Sequence, residues 1–253
     1  MRLKGKVAIV TGGSKGIGAG ICQVFCEEGA HCFVVARHAK DIDARVAELR
    51  RAGGQADGVV CDVSKSDSVR AMIDQVVGKA RRIDILVNNA GYHNSKGIEA
   101  LTEEDWDSLL DTNLKSMFLC TRYALPHLKQ STGVVINMSS MVGLVGQPNA
   151  CAYAATKGGI IAMTKNLAID LAPYGIRVNV ICPGWIQTPL VEEWFEKQTD
   201  PAEARRYIYS QHPVGRIGTP REVGKAALFL ATEDSAFTTG SVLECDGGIT
   251  LGY

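Results

Sequence analysis

Tyr153 and Lys157 stand one helical turn apart, and no other spacing in the chain points so directly to chemistry. The segment Tyr153-Ala154-Ala155-Thr156-Lys157 opens a stretch of helical period that continues through Ile161, Met163, Leu167 and Leu171. Residues i and i+4 of a helix share a face. A free phenol titrates near pH 10 or so, too high for easy proton exchange at neutral pH. A fixed ammonium nearby favours the phenolate and lowers that value, which makes the pair a candidate general acid/base. Upstream, Asn137-Met138-Ser139-Ser140 ends an apolar run. From there the Ser140 hydroxyl can donate to a developing alkoxide, or orient an alcohol in the reverse direction. Taken singly, a Tyr/Lys pair is a common helix-surface pair and Ser-Ser a common cap. Their weight comes from a third element, a glycine-rich turn.

That turn, Thr11-Gly12-Gly13-Ser14-Lys15-Gly16-Ile17-Gly18, lies between the run Val7 to Val10 and a helical stretch through Ile21, Val24 and Phe25. Gly12 permits a tight reversal, Gly16 lets the backbone approach a pyrophosphate, and Gly18 allows close helix–strand packing. Free N–H groups at the helix start then face the anion, with Ser14, Lys15 and Ile17 beside it. A P-loop is the rival reading, but no Gly-Lys-Ser/Thr follows at the required spacing. The end of the second strand reads Val34-Val35-Ala36-Arg37-His38, without the acid that NAD-binding versions carry for the ribose 2′-hydroxyl. Arg37 and Lys15 suit a 2′-phosphate instead, the alternative being two solvated cations. Asp41 and Asp43 are placed in the following helix. NADP(H) is therefore the expected cofactor, with NAD(H) as the alternative.

Elements of the right kind exist to position these residues. Apolar, β-branched runs at Val7 to Val10, Cys32 to Ala36, Gly58 to Cys61, Ile83 to Val87, Gly133 to Asn137, Arg177 to Ile181 and Ser241 to Leu243 alternate with helical stretches such as Asp41 to Arg51. Continuous apolar strands joined by helical crossovers imply a parallel sheet covered on both faces. The expected architecture is a single-domain, Rossmann-type, doubly wound α/β sheet over residues 1–253. Its largest interruption, residues 188–220, mixes Trp194, Phe195, Tyr207 and Tyr209 with charges. It reads as a lid over the substrate or, more plainly, as a helical surface excursion.

Lys plus Arg equals Asp plus Glu at 27 each, so no global field favours nucleic acid or an anionic membrane. With 46 % apolar and 21 % charged residues the composition is that of an ordinary globular protein, and the expected partner is a small molecule. The basic start Met1 to Lys6 precedes an apolar run of only four residues, too short for a secretory signal. No apolar stretch approaches the roughly 20 residues of a membrane span. A cytoplasmic location follows as the expectation. The eight cysteines (22, 26, 32, 61, 120, 151, 182 and 245) are scattered and read as free, mostly buried thiols, and no metal-ligand spacing occurs.

Together these residues resemble the classical short-chain dehydrogenase/reductase family over essentially the whole chain. The turn matches its Thr-Gly-x-x-x-Gly-x-Gly pattern, and Asn88-Asn89-Ala90-Gly91 matches its Asn-Asn-Ala-Gly element, which lines the cofactor site. Asn113, within Asp111 to Leu114, stands where the family places an asparagine holding a proton-relay water. Ser140 lies thirteen residues before Tyr153, the family's usual separation. Asp62-Val63 resembles the adenine contact; Pro183, Gly184, Ile186 and Thr188 resemble the segment against the nicotinamide. The resemblance implies an oxidoreductase that interconverts a carbonyl and an alcohol, a pro-S hydride donor, and a homotetramer. It also implies that Tyr153 is the acid/base, that Ser140 positions the carbonyl, and that Lys157 holds the nicotinamide ribose. Asn113 would link Lys157 to solvent.

For the substrate wall the candidates are Tyr92, His93, Val142, Gln147, Trp185 and Gln187. His93 is read as binding a polar group, or as merely solvated; Trp185 as narrowing the pocket, or as a core residue. Competing classes are a nucleotide sensor that has lost turnover, and a methyltransferase or epimerase on the same fold. A sensor or methyltransferase has no use for the Tyr153/Lys157 pair, and this chain lacks room for an epimerase's larger substrate domain.

Overall fold

Wholly apolar strands belong in the middle of a sheet covered on both sides, and that is where they lie in the computed structural model, which describes residues 1–252. Seven strands form one parallel sheet: β1 (Val7–Thr11), β2 (His31–Ala36), β3 (Gln55–Val60), β4 (Ile85–Asn88), β5 (Val134–Met138), β6 (Arg177–Pro183) and β7 (Val242–Cys245). Their order is β3-β2-β1-β4-β5-β6-β7, and every residue of β1, β4 and β5 is buried. β3 starts three residues before the apolar run that announced it. It is an edge strand, so Gln55 and Asp57 can pair with His31 and Phe33 of β2 without being wholly enclosed.

The helices are α1 (Gly16–Glu27), α2 (Ala39–Arg51), α3 (Ser66–Ala80), α4 (Glu103–Leu109), α5 (Ser116–Ser131), α6 (Cys151–Leu171), α7 (Pro189–Glu196), α8 (Pro201–Ser210) and α9 (Pro220–Ala231). On one face Ile21 and Phe25 of α1, Ile42 and Leu49 of α2, and Val223 and Leu228 of α9 pack on Ala8, Val10, Val34 and Ile136. On the other, Met72 and Ile73 of α3, Leu119 and Ala124 of α5, and Leu171 of α6 pack on Ile9, Phe33, Leu86 and Val135. Six of the eight cysteines are buried and all are free. Among the described residues no helix is long and apolar enough to cross a membrane.

The chain runs outward from β1 through β2 to β3, then crosses back to β4 on the other side of β1 and continues outward to β7. A crevice opens where the order reverses, at the carboxyl ends of the strands. The glycine-rich turn closes β1 there. Gly12 and Gly16 have φ of 65° and 54°, backbone that only glycine adopts freely. Gly18 is a close-approach position, since a Cβ on it would overlap the Gly12 carbonyl and stand 2.6 Å from Asn89 Nδ2. Gly18→Ala is accordingly expected to cost about 1–3 kcal/mol through overpacking. A lower melting temperature accompanied by weaker dinucleotide binding would show it; an unchanged melting temperature would contradict the packing argument.

The 188–220 excursion folds as α7 and α8 around a small core of its own, Phe195, Ile208 and Ile217, with Trp185, Val191 and Trp194 packed on it. Arg205 on α8 braces the two helices, reaching Glu192 at 2.7 Å and Glu196 at 2.9 Å while its guanidinium lies 4.5 Å from the Phe195 ring centroid.

Candidate active site

The sheet's carboxyl edge gathers segments more than a hundred residues apart. Thr11, the last residue of β1, ties the first of them together. Its hydroxyl accepts from the backbone N–H groups of Asn89 and Ala90 at 2.9 and 3.0 Å, and Asn89 Nδ2 donates to the Thr11 carbonyl at 2.8 Å. The ends of β1 and β4 are thus locked side by side. Thr188, capping α7, brings the β6 end across to them: its methyl stands 3.3 Å from where a Cβ on Gly16 would be. Gly184 presses on Asp246, beyond the end of β7, where a Cβ would lie 2.9 Å from the Asp246 Cα. Gly184, Ile186 and Thr188 border one cleft with Ile17 of the glycine-rich turn, while Pro183 is buried at the end of β6.

The crevice fits a dinucleotide. No side chain caps the start of α1, so its first-turn N–H groups remain available to an anion. At the β3 end, Asp62 Oδ1 accepts from the Ser64 N–H at 3.0 Å and its hydroxyl at 2.7 Å. Burial works against the ionised Asp62, but the Ser64 bonds and the charges of Arg37 and Lys65 outweigh it and hold the carboxyl below its usual range. Val63 is buried beside it. Arg37 is exposed at the end of β2. Lys15 differs from expectation: its ammonium is engaged by Asp41, 2.7 Å away in the first turn of α2. Asp41 does lie in the helix, as its position predicted, yet the turn of α2 carries it back over the glycine-rich loop. The two cations are not equally available to a phosphate.

Tyr153 and Lys157 occupy the first two turns of α6, and Ser140 lies two residues past the end of β5. The Lys157 side chain is buried, with Nζ 5.4 Å from the Tyr153 ring centroid and donating to the Met138 carbonyl at 2.9 Å. Burial lowers the Lys157 ammonium to about 8. Burial pushes the Tyr153 phenol up to about 12, partly offset by its hydrogen bond with Ser140. The expectation that the nearby ammonium brings the phenol down is corrected: the phenol is raised by burial. The long lysine side chain finds a backbone carbonyl, and desolvation of the phenol is the larger effect. Ser140 Oγ also accepts from the Val142 N–H at 3.2 Å, so the serine is both a cap and a cleft residue.

Asn113 sits on a π-helical turn, Leu110–Lys115, wedged between α4 and α5. It is fully buried, and its side chain is clamped to the Tyr92 backbone: Nδ2 donates to the carbonyl at 2.9 Å and Oδ1 accepts from the N–H at 3.0 Å. A Cβ on Gly91 would meet Asn113 Oδ1 at 3.0 Å and Lys157 Nζ at 3.9 Å, which puts the three residues around one point. Such π turns concentrate at functional sites, and no residue signal in the sequence announced this one.

A cleft of about 270 Å3 opens over Ser140 and Tyr153. His93, Val142, Gln147 and Trp185 line it, joined by Ile17, Ser95, Met141, Leu190, Val191 and Trp194. Two proposed wall residues do not. Tyr92 turns its hydroxyl to Ser108 at 2.8 Å, because its backbone is committed to Asn113. Gln187 faces a separate groove with Arg216 and Glu222, since the Ile186–Gly218 bridge rotates it outward. Trp194 was legible only as a lid aromatic; that it reaches the cleft depends on Trp185, whose ring centroid lies 4.9 Å from its own.

Comparison with known proteins shows which family the chain belongs to. A family model described as enoyl-(acyl carrier protein) reductase matches residues 12–250. L-fucose dehydrogenase from Bos taurus is 44 % identical over 100 % of this chain and 92 % of its own. The 3-oxoacyl-[acyl-carrier-protein] reductase FabG from Thermotoga maritima is 40 % identical, covering 99 % and 100 %. The crystal structure of a putative short-chain dehydrogenase/reductase from Burkholderia xenovorans superposes with a TM-score of 0.96 at 36 % identity, over 100 % of this chain and 99 % of that one. The chain belongs to the short-chain dehydrogenase/reductase family. It is an oxidoreductase of the class acting on CH–OH and C=O groups, and the family's cofactors are nicotinamide dinucleotides.

Proposed function

We propose that this chain is an NADP(H)-dependent oxidoreductase interconverting a small, uncharged ketone or aldehyde with its alcohol, Tyr153 serving as acid and base. The observation that carries the reading is the convergence of Ser140 and Tyr153 on one cleft with Gly184, Ile186 and Thr188, in which no Asp, Glu, Lys or Arg takes part among the described residues. In reduction the Tyr153 hydroxyl gives its proton to the substrate oxygen; in oxidation it takes the alcohol proton. When bound, the dinucleotide supplies the hydride to the carbonyl carbon or accepts it from the carbinol. Ser140 Oγ holds the reacting oxygen in place. Lys157 holds the ribose hydroxyls and lends its charge to the phenolate, the Met138 carbonyl fixes its position, and Asn113 links it to solvent. Gly12, Ser14, Lys15, Gly16, Ile17 and Gly18 cradle the pyrophosphate, Asp62 and Val63 the adenine, and Asn89, Ala90 and Pro183 the remainder. α7 and α8 act as a lid, with Leu190, Val191 and Trp194 on its inner side. A cytoplasmic homotetramer completes the proposal; the exposed Phe118, in a groove that mixes Leu110, Leu114 and Met163 with Asp107, Asp111 and Lys115, supports association.

NAD(H) remains the second reading, because Asp41 holds Lys15 and leaves Arg37 as the one strand-end cation without a carboxylate contact among the described residues. The test is a paired fluorescence titration with NADPH and NADH, alongside loss of NADPH absorbance with cyclohexanone. NADPH should bind about tenfold tighter, a difference of about 1.4 kcal/mol, and Arg37→Ala should abolish the difference while leaving NADH within threefold. Tighter NADH binding would overturn the phosphate clasp. Binding of neither would overturn the enzyme reading.

A further inference from the structure

His93 carries the one buried side-chain nitrogen of the cleft that has no hydrogen-bond partner among the described residues. Its Nδ1 lies 2.9 Å from Ser95 Oγ, and its ring meets Tyr153 edge-on with centroids 4.5 Å apart. Its Nε2 is buried and has no hydrogen-bond partner. A buried polar atom left unpaired costs about 1–3 kcal/mol, and native structures retain few of them without a use. Elsewhere in the same cleft Trp185 and Trp194 present paired indoles beside Leu190 and Val191.

We propose that His93 Nε2 reads a second oxygen of the substrate, a hydroxyl on the carbon next to the one that reacts, so that the site takes neutral vicinal diols and the matching α-hydroxy carbonyls. Ring-shaped members, whose C–H faces can lie on Trp185 and Trp194, fit best. The inference rests on Tyr153 being the residue that binds the reacting oxygen. Because the imidazole packs edge-on against the Tyr153 ring, a group bonded to it is held at the Tyr153 end of the cleft. A hydroxyl both donates and accepts, so it pairs with Nε2 in either tautomer allowed by Ser95. A carboxylate there would need a cation. Burial and the Lys157 charge instead keep His93 below its ordinary pKa and therefore neutral at pH 7. A mono-alcohol leaves Nε2 orphaned. Sites built to bond a hydroxyl discriminate steeply against analogues that lack it.

The experiment compares 1,2-cyclohexanediol with cyclohexanol in the wild type and in His93→Phe, which keeps an aromatic ring against Tyr153. Two quantities are read: kcat/KM, and quenching of tryptophan fluorescence on binding to the dinucleotide-loaded protein. The wild type should favour the diol at least tenfold, and His93→Phe should bring the kcat/KM ratio close to one and weaken diol binding at least tenfold. His93→Gln, which restores a hydrogen-bonding amide, should recover part of the preference and guards against misfolding of the phenylalanine variant. Equal use of the two alcohols by the wild type, or a diol preference surviving in His93→Phe, overturns the proposal. If neither alcohol is oxidised but diol binding still depends on His93, the recognition stands and the redox assignment of the site fails instead.

Discussion

Tyr153→Phe is expected to lower kcat by at least about a hundredfold, and by up to about ten-thousandfold, the range a positioned proton donor contributes. Dinucleotide affinity should stay within threefold. Phenylalanine keeps the ring on which His93 packs and the first turn of α6; it removes only the hydroxyl. The pH dependence follows from the surroundings of that hydroxyl. With the phenol pushed up to about 12 by burial, the folded protein holds the proton throughout the neutral range. Reduction, which needs the acid form, is expected to be nearly independent of pH between about 5 and 7, below the range in which Lys157 loses its charge. Oxidation needs the base form and should rise about tenfold per pH unit across the same range. Steady-state rates in both directions and a fluorescence titration check both statements. Turnover that survives the substitution would end the acid/base assignment.

Lys157→Met should have the second largest effect, in two opposite senses. Activity should fall at least about a hundredfold, since the variant loses the charge beside the Tyr153 phenol. Stability should move the other way. Lys157 titrates near 8 in the folded protein, below its usual 10.5. Between those values the unfolded chain binds more protons than the native one, so this group makes the wild type more stable as pH rises through the window. Below the lower value the buried ammonium costs its full amount, at most about 3 kcal/mol from the size of the shift. Methionine removes that cost but leaves the Met138 carbonyl without its donor, a loss of about 1 kcal/mol. The variant is expected to be about 1–2 kcal/mol more stable than the wild type near pH 7, with the gap closing towards about pH 10. Urea denaturation of both proteins at the two pH values measures this, and groups that titrate alike in both cancel in the difference. A variant less stable at neutral pH, with a constant gap, would show that the ammonium is fully compensated where it lies.

The sequence by itself determined the family and the sheet, because both are written in short-range patterns. Apolar runs without alternation specify strands covered on both faces, and a glycine-rich turn between strand and helix specifies a phosphate cradle. Tyr153 and Lys157 share a helix face by their spacing alone. Partnerships across the fold were not legible in this way. Lys15 turned to Asp41 and Lys157 to the Met138 carbonyl, because a long cationic side chain takes whichever oxygen the packing of distant segments brings within reach. Tyr92 left the cleft because Asn113, on an unannounced π turn, claimed its backbone. Trp194 entered the cleft because the core of α7 and α8 fixed the angle at which these helices rest on Trp185. Periodicity states which residues face the same way along one element. What they face is decided only when elements far apart in the chain exclude water from one another and meet.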